Sequence, residues 1–181
     1  KITLGKGQTK TVAEIKGEGS ITSFKVNLQP LSKDVFYNLQ LKIFWDDEKT
    51  PSVDVPLSYF FGAGAKDYKL SDVVSKKSLT SLFFFFVGEK GSFYSYFPMP
   101  YWKSAKVVIE NKSGEEVNAL DLEIQYKPAS VLKYPKAKTG YFHAKRTVDT
   151  DTKTKVYSTS FKETGRGHVV GILFYTQGYD M

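Results

Sequence analysis

The sequence predicts an all-β fold, an antiparallel β-sandwich of the jelly-roll type. Three observations carry this. Apolar residues recur with period two, as in Leu39, Leu41, Ile43 and Trp45 set against Gln40, Lys42 and Phe44, the mark of a strand with one buried face. Short polar or Gly-rich turns separate the runs, with no convincing long amphipathic helix between them. The number of runs spread over 181 residues suits the eight strands of a jelly roll. For this mass, about 70% of the unfolded chain's surface can be buried, so a core forms without staples.

Taken in order, Thr11, Ala13 and Ile15 give a first strand and Ile21 to Leu28 a second, separated by Gly17-Glu18-Gly19. Leu39 to Trp45 follows and ends at Asp46-Asp47-Glu48-Lys49. Val53, Val55 and Leu57 form a shorter strand before Gly62-Ala63-Gly64. Ala65 to Lys77 allows a helical turn or two. Phe83 to Phe86 is apolar on both faces, so it reads as a strand covered on both sides. Either it is an ordinary core strand beside a bulky loop or it is buried in an interface. Ala105, Val107 and Ile109 alternate with Lys106, Val108 and Glu110, and Leu120, Leu122, Ile124 and Tyr126 alternate with Asp121, Glu123, Gln125 and Lys127. The link Lys112-Ser113-Gly114-Glu115 predicts a hairpin between these last two strands. The whole chain, 1–181, reads as a single jelly-roll domain.

Composition narrows the chemistry. Zero Cys excludes disulfides, thiol nucleophiles and thiolate metal sites, and two His exclude a three-His zinc site. The longest apolar run, Leu82 to Val87, is far shorter than a membrane span. The net charge of +7 comes mostly from scattered Lys, and only Arg146 and Arg166 are Arg. Base reading leans on bidentate Arg, so no nucleic-acid role is expected, and the charge reads as a solvated basic surface or as the footprint of an anionic partner. No Gly-x-Ser-x-Gly or phosphate loop occurs.

Two places suit ligand chemistry. Asp46-Asp47-Glu48 follows a strand, and paired carboxyl groups roughly 5–9 Å apart are the tools of glycoside hydrolysis. A solvated turn has the same composition, and that alternative stays open. The stretch Tyr96-Phe97-Pro98-Met99-Pro100-Tyr101-Trp102-Lys103 is extended by its two Pro residues and cannot belong to a central strand. Its aromatic rings with polar tips suit the apolar faces and hydroxyls of sugars. They equally suit a plug at the end of a sandwich. His143 and His168 read first as structural.

The linear order of motifs adds a resemblance. Leu41-Lys42-Ile43-Phe44-Trp45-Asp46-Asp47-Glu48-Lys49-Thr50-Pro51-Ser52-Val53-Asp54-Val55-Pro56-Leu57, then Phe60-Phe61-Gly62, Tyr96-Phe97-Pro98-Met99-Pro100 with Lys103-Ser104-Ala105, Ile109-Glu110-Asn111, Tyr141-Phe142-His143-Ala144 and Gly165-Arg166-Gly167-His168-Val169-Val170-Gly171 succeed one another. The series resembles glycoside hydrolase family 172, formerly domain-of-unknown-function family 2961. The resemblance implies two tandem jelly rolls assembled into trimers or larger rings. It implies hydrolysis of fructofuranosides, difructose anhydrides or arabinofuranosides with retention, without a metal or organic cofactor. It places the two catalytic carboxylates in the second roll, so the catalytic residues stay unassigned here. This chain is expected to be the first roll of a larger protein, inactive alone, with a second roll or further copies of itself as partner. The implied substrate-facing residues are Trp45, Asp46, Asp47, Phe60, Phe61, Tyr96, Phe97, Met99 and His143, and no metal ligand is expected. The alternative is a non-catalytic jelly roll that binds carbohydrate or self-assembles, as capsid-like modules do. A sugar-active family and the absence of Cys fit an extracellular or cell-envelope (periplasmic) setting, with a cytoplasmic one left open.

Overall fold

The computed structural model describes residues 1–29, 32–62, 84–87, 92–132, 134–148 and 162–173. Ten strands are described: β1 (Ile2–Leu4), β2 (Thr9–Lys16), β3 (Gly19–Gln29), β4 (Leu39–Trp45), β5 (Val53–Pro56), β6 (Phe84–Val87), β7 (Ser92–Ser95), β8 (Met99–Tyr101), β9 (Ser104–Asn111) and β10 (Val117–Pro128). Three short helices accompany them: α1 (Lys33–Asn38), α2 (Leu57–Phe60) and α3 (Ala129–Leu132). One sheet runs β1-β10-β3-β7-β6, with β8 also on β3, and the other runs β2-β9-β4-β5. All these strand pairs are antiparallel. The four-strand orders β1-β10-β3-β7 and β2-β9-β4-β5, with the chain passing repeatedly between sheets, are those of a jelly roll, as the sequence predicts.

The period-two pattern is read out strand by strand. Leu39, Leu41, Ile43 and Trp45 are fully buried, as are Phe24, Val26 and Leu28 from the facing sheet. Each such side chain contributes about 1.5–3 kcal/mol of transfer free energy. In β10 the inward residues change character along the strand. Leu120 is fully buried, while Leu122 and Ile124 are only partly covered, because β1, the neighbour on that side, pairs with β10 only from Val117 to Leu120.

The hairpin expected between β9 and β10 does not form. β9 lies between β2 and β4, and β10 lies between β1 and β3 in the other sheet. The link is an arch held by the buried Asn111. Its Nδ2 donates to the carbonyls of Gly5 and Glu115 at 3.0 and 2.9 Å, and its Oδ1 accepts from the Ser113 backbone N–H and hydroxyl. Those bonds turn the chain across the sandwich, where each strand finds two partners in place of one.

β7 and β8 are one interrupted strand. β7 pairs with Phe24 to Asn27 and β8 with Gly19 to Ile21 of the same strand β3. The gap is Tyr96-Phe97-Pro98, where a Pro without an N–H breaks the ladder. Phe84–Val87 does form a strand, but β6 pairs with β7 alone among the described residues. Among the described residues it ends the sheet. Phe83, the span Ala65 to Lys77 and the Gly88-Glu89-Lys90-Gly91 turn lie outside the described residues. No helix of the described residues is long and apolar enough to cross a membrane.

Candidate functional site

One end of the sandwich is built around the turn after β4. Asp46 and Asp47 both have positive φ, 51° and 63°, and the Glu48 N–H donates to the Trp45 carbonyl at 2.9 Å. Two consecutive left-handed residues closing such a bond form a type I′ turn, a conformation in which Asp is among the few tolerated side chains. The turn points its two carboxylates in different directions.

Asp46 faces the β8–β9 link. Its carboxylate accepts the backbone N–H groups of Trp102, Lys103 and Ser104 at 3.0, 2.6 and 3.0 Å. It also accepts the Tyr141 hydroxyl at 2.6 Å. Partial burial alone raises its pKa, but the bonds from Tyr141 and the three N–H groups outweigh that and hold the carboxyl below the usual carboxylate value. The opposite consequence falls on Tyr141, whose hydroxyl is pushed up to about 12, first by burial and then by Asp46. Asp47 faces outward. It accepts from the Ser104 hydroxyl at 3.0 Å and pairs with the Lys103 ammonium at 2.5 Å. Both interactions hold its carboxyl low. Glu48 accepts from the Ser52 hydroxyl at 2.8 Å. All three acids of the turn are therefore committed to local partners, and the turn reading of Asp46-Asp47-Glu48 accounts for each of them.

A strap, Tyr141 to Ala144, laces this end together. The Phe142 carbonyl accepts the Trp45 indole N–H at 2.8 Å. The Phe142 ring packs on Phe97 and Phe60, with centroids at 5.3 and 6.3 Å. Ala144 bridges to Val53 in parallel, exchanging backbone bonds with Ser52 and Asp54. The sequence candidates Trp45, Asp46, Asp47, Phe60, Phe61 and Phe97 thus converge here with the strap that carries His143. Their depths differ. Trp45 is fully buried and stacks on Tyr101 at 6.2 Å. Phe60 and Phe61 lie in the core against Phe24. Phe97 is buried, and Met99 is fully buried on β8. Asp47 and His143 are exposed, and Tyr96 is 46% exposed beside Tyr94.

Two further residues shape the surface. The half-buried Trp102 ring meets Tyr141 edge to face at 4.9 Å, with the Lys136 ammonium 5.9 Å above it. Both residues lie inside sequence motifs whose spacing does not mark them as surface residues. Trp102 directly follows β8 in the aromatic stretch, a signal that position in the motif alone would have supplied. On the other side of the turn, Phe44, Asp47, Glu48, Lys49, Ser104 and Lys106 line a shallow cleft of about 300 Å³. Together they offer aromatic faces, carboxylates, a hydroxyl and ammonium groups, the mixture that recognises a polyol with apolar C–H faces. Among the described residues no group of three His, Cys, Asp or Glu is placed to hold a metal ion.

The family model described as GH172 domain-like matches residues 1–124. The match thus runs from β1 into β10, and the strap lies beyond it. No curated protein matches the chain.

Proposed function

Because the chain belongs to the GH172 domain-like family, which is glycoside-hydrolase-related, we propose that it is the carbohydrate-facing jelly roll of a furanoside-acting hydrolase, contributing a binding wall and not the catalytic acids. One observation carries the division of labour. The carboxylates that come nearest to a catalytic pair, Asp46 and Asp47, sit side by side on a turn and are consumed by it. A general acid needs a raised pKa, and a nucleophile needs an oxygen free to attack. Asp46 has a lowered pKa and both oxygens bonded, Oδ1 by the Lys103 N–H and Oδ2 by the Tyr141 hydroxyl. What remains for a ligand is the surface of Trp102 and Tyr141 with the cleft beside Asp47, and Tyr96 is exposed beside Tyr94. On this reading Trp45, Phe60, Phe61, Phe97 and Met99 support that wall from beneath, and His143 lies at its rim.

The partners follow from the same reading: a furanoside oligosaccharide, further copies of the chain or a second jelly roll, in an extracellular or cell-envelope setting. The self-assembling alternative is favoured by one observation, the exposed apolar run Val169, Val170, Ile172 and Leu173, since apolar runs of this kind mark contact surfaces.

Calorimetric titration with arabino- and fructo-oligosaccharides tests the binding role. Heat is expected with the wild-type chain and an affinity about tenfold weaker in Trp102→Ala, the loss of one stacking ring. 4-Nitrophenyl α-furanosides should not be turned over by the chain alone. No heat with either sugar sinks the binding wall, and turnover by the chain alone, above all turnover lost in Asp46→Asn or Asp47→Asn, sinks the division of labour.

A further inference from the structure

A second cleft lies away from the turn, between α1 and the chain that follows the strap. It has a volume of about 390 Å³ and is lined by Tyr37, Asn38, Gln40, Asp54, Pro56, Lys112, Arg146 and Val148. That volume falls within the range of small-ligand sites. Its position follows from the strap. Pairing of Ala144 with Val53 fixes the backbone two residues before Arg146, which brings this side chain to the β5 edge.

Arg146 is one of only two Arg in the chain. Its guanidinium lies over the Tyr59 ring at 4.5 Å. It makes no ion pair with any described residue, whereas neighbouring Lys145 is paired with Glu163. A planar guanidinium supported on one face by a phenol ring loses little further freedom when its edge takes a carboxylate in two parallel hydrogen bonds. The lining also holds Lys112, whose ammonium shares Glu110 with Lys42. Asp54 is the one acid in the lining, and its Oδ1 is occupied by the Gln40 amide at 2.7 Å. Its other oxygen suits a sugar hydroxyl as donor. Pro56 and Val148 add an apolar surface.

We propose that this cleft binds a carboxylate-bearing sugar unit, a uronate, with its carboxylate on Arg146 and Lys112 and its hydroxyls on Asp54, Gln40 and Asn38. The site is separate from the surface at the β4 turn and does not depend on the furanoside reading. Its ligand is acidic, and it gives the excess positive charge of the chain one specific use.

Titration of the full chain followed by amide chemical shifts tests the proposal, with trigalacturonate as the probe. Shifts are expected at Gln40, Asp54, Lys112 and Arg146. Arg146→Ala should weaken binding at least tenfold, and Arg146→Lys, which keeps the charge and loses the fork, about fivefold. Lys10→Ala, which removes an exposed charge on β2 outside both surfaces, should leave the affinity unchanged. Arg146 is exposed, so its variants are expected to fold, and unchanged amide spectra outside the cleft verify this. Three results overturn the proposal: no shifts at the cleft with trigalacturonate, equal binding by the neutral arabinotriose, or equal displacement by inorganic phosphate, which would make the cleft a general anion site. An Arg146→Ala chain that binds trigalacturonate as the wild type does overturns the assignment of the carboxylate.

Discussion

Replacing Asp46 tests whether the turn after β4 is a structural clamp. Its carboxylate accepts four hydrogen bonds, three from consecutive backbone N–H groups and one from Tyr141. A hydrogen bond to a charged group contributes about 1.5–3 kcal/mol when shielded. Asp46 is only partly buried and Lys103 is exposed, so water replaces a large part of each bond, and about a third of the gross value is a fair net. Asp46→Ala should therefore lose about 2–4 kcal/mol from these bonds, and about 1 kcal/mol more because Ala is strained at the positive φ of this position. Asp46→Asn tolerates that φ and keeps one accepting oxygen, so its loss should be about 1–2 kcal/mol. Equilibrium urea unfolding followed by tryptophan fluorescence reads both. The pH dependence separates charge from shape. The folded carboxyl titrates below its unfolded value, so its contribution is complete above the unfolded pKa and is lost as pH falls through the folded one. The difference between wild type and Asp46→Asn should be full at neutral pH and shrink below about pH 4. An Asp46→Ala chain within 0.5 kcal/mol of wild type, a margin typical of uninvolved surface positions, would refute the clamp. A difference that persists unchanged into acid would refute the role of the charge.

Two other expectations follow from the packing. A Cβ on Gly19 would lie 2.6 Å from the Lys127 carbonyl and 2.8 Å from the Tyr101 hydroxyl, and the carbonyl cannot move without opening the β3–β10 ladder, so Gly19→Ala should cost about 2–3 kcal/mol in thermal or urea unfolding. A loss below 0.5 kcal/mol would mean that the strands part easily there. The phenols of Tyr101 and Tyr141 are both raised to about 12, each chiefly by burial. Their contribution to stability is complete below the unfolded tyrosine value near 10 and declines as pH rises toward 12. A late phenolate absorbance step near pH 12 should lose the amplitude of one tyrosine in Tyr141→Phe, and a step of unchanged amplitude would contradict the placement of Tyr141.

The fold was legible because its signal is local. Each strand of the core announces its buried face by alternation, and the alternation at Leu39 to Trp45 survives folding residue for residue. The error at β9 and β10 shows where local signal ends. Lys112-Ser113-Gly114 has the composition of a hairpin turn, but composition does not say which sheet receives the next strand. That choice is made by Asn111, whose side chain reaches carbonyls more than a hundred residues away in sequence, at Leu4 and Gly5. Helix α1 was also missed, although Ser32 caps it by accepting the Val35 N–H at 3.0 Å with Asp34 in the first turn. Six residues are too few for a 3.6-residue period to declare itself.

The site was legible in its motifs and hidden in its depths. The large apolar residues that stand out in sequence, Trp45, Phe60, Phe61 and Met99, are the ones most needed by the core, because large apolar side chains contribute most where they are fully covered. The residues left at the surface, Trp102, Tyr141 and Arg146, are set there by contacts that no spacing encodes: Tyr141 by Asp46, 95 positions away, and Arg146 by the Ala144–Val53 pairing and the ring of Tyr59. The strap from Tyr141 to Ala144 thus does two things at once. It closes the Trp45 end of the sandwich, and it delivers to the β5 edge a guanidinium that makes no ion pair among the described residues. A change that frees the strap, such as Asp46→Ala, therefore disturbs both surfaces, whereas a change at Trp102 or Arg146 disturbs only its own. This asymmetry allows the two binding proposals to fail independently while the fold that supports them stands.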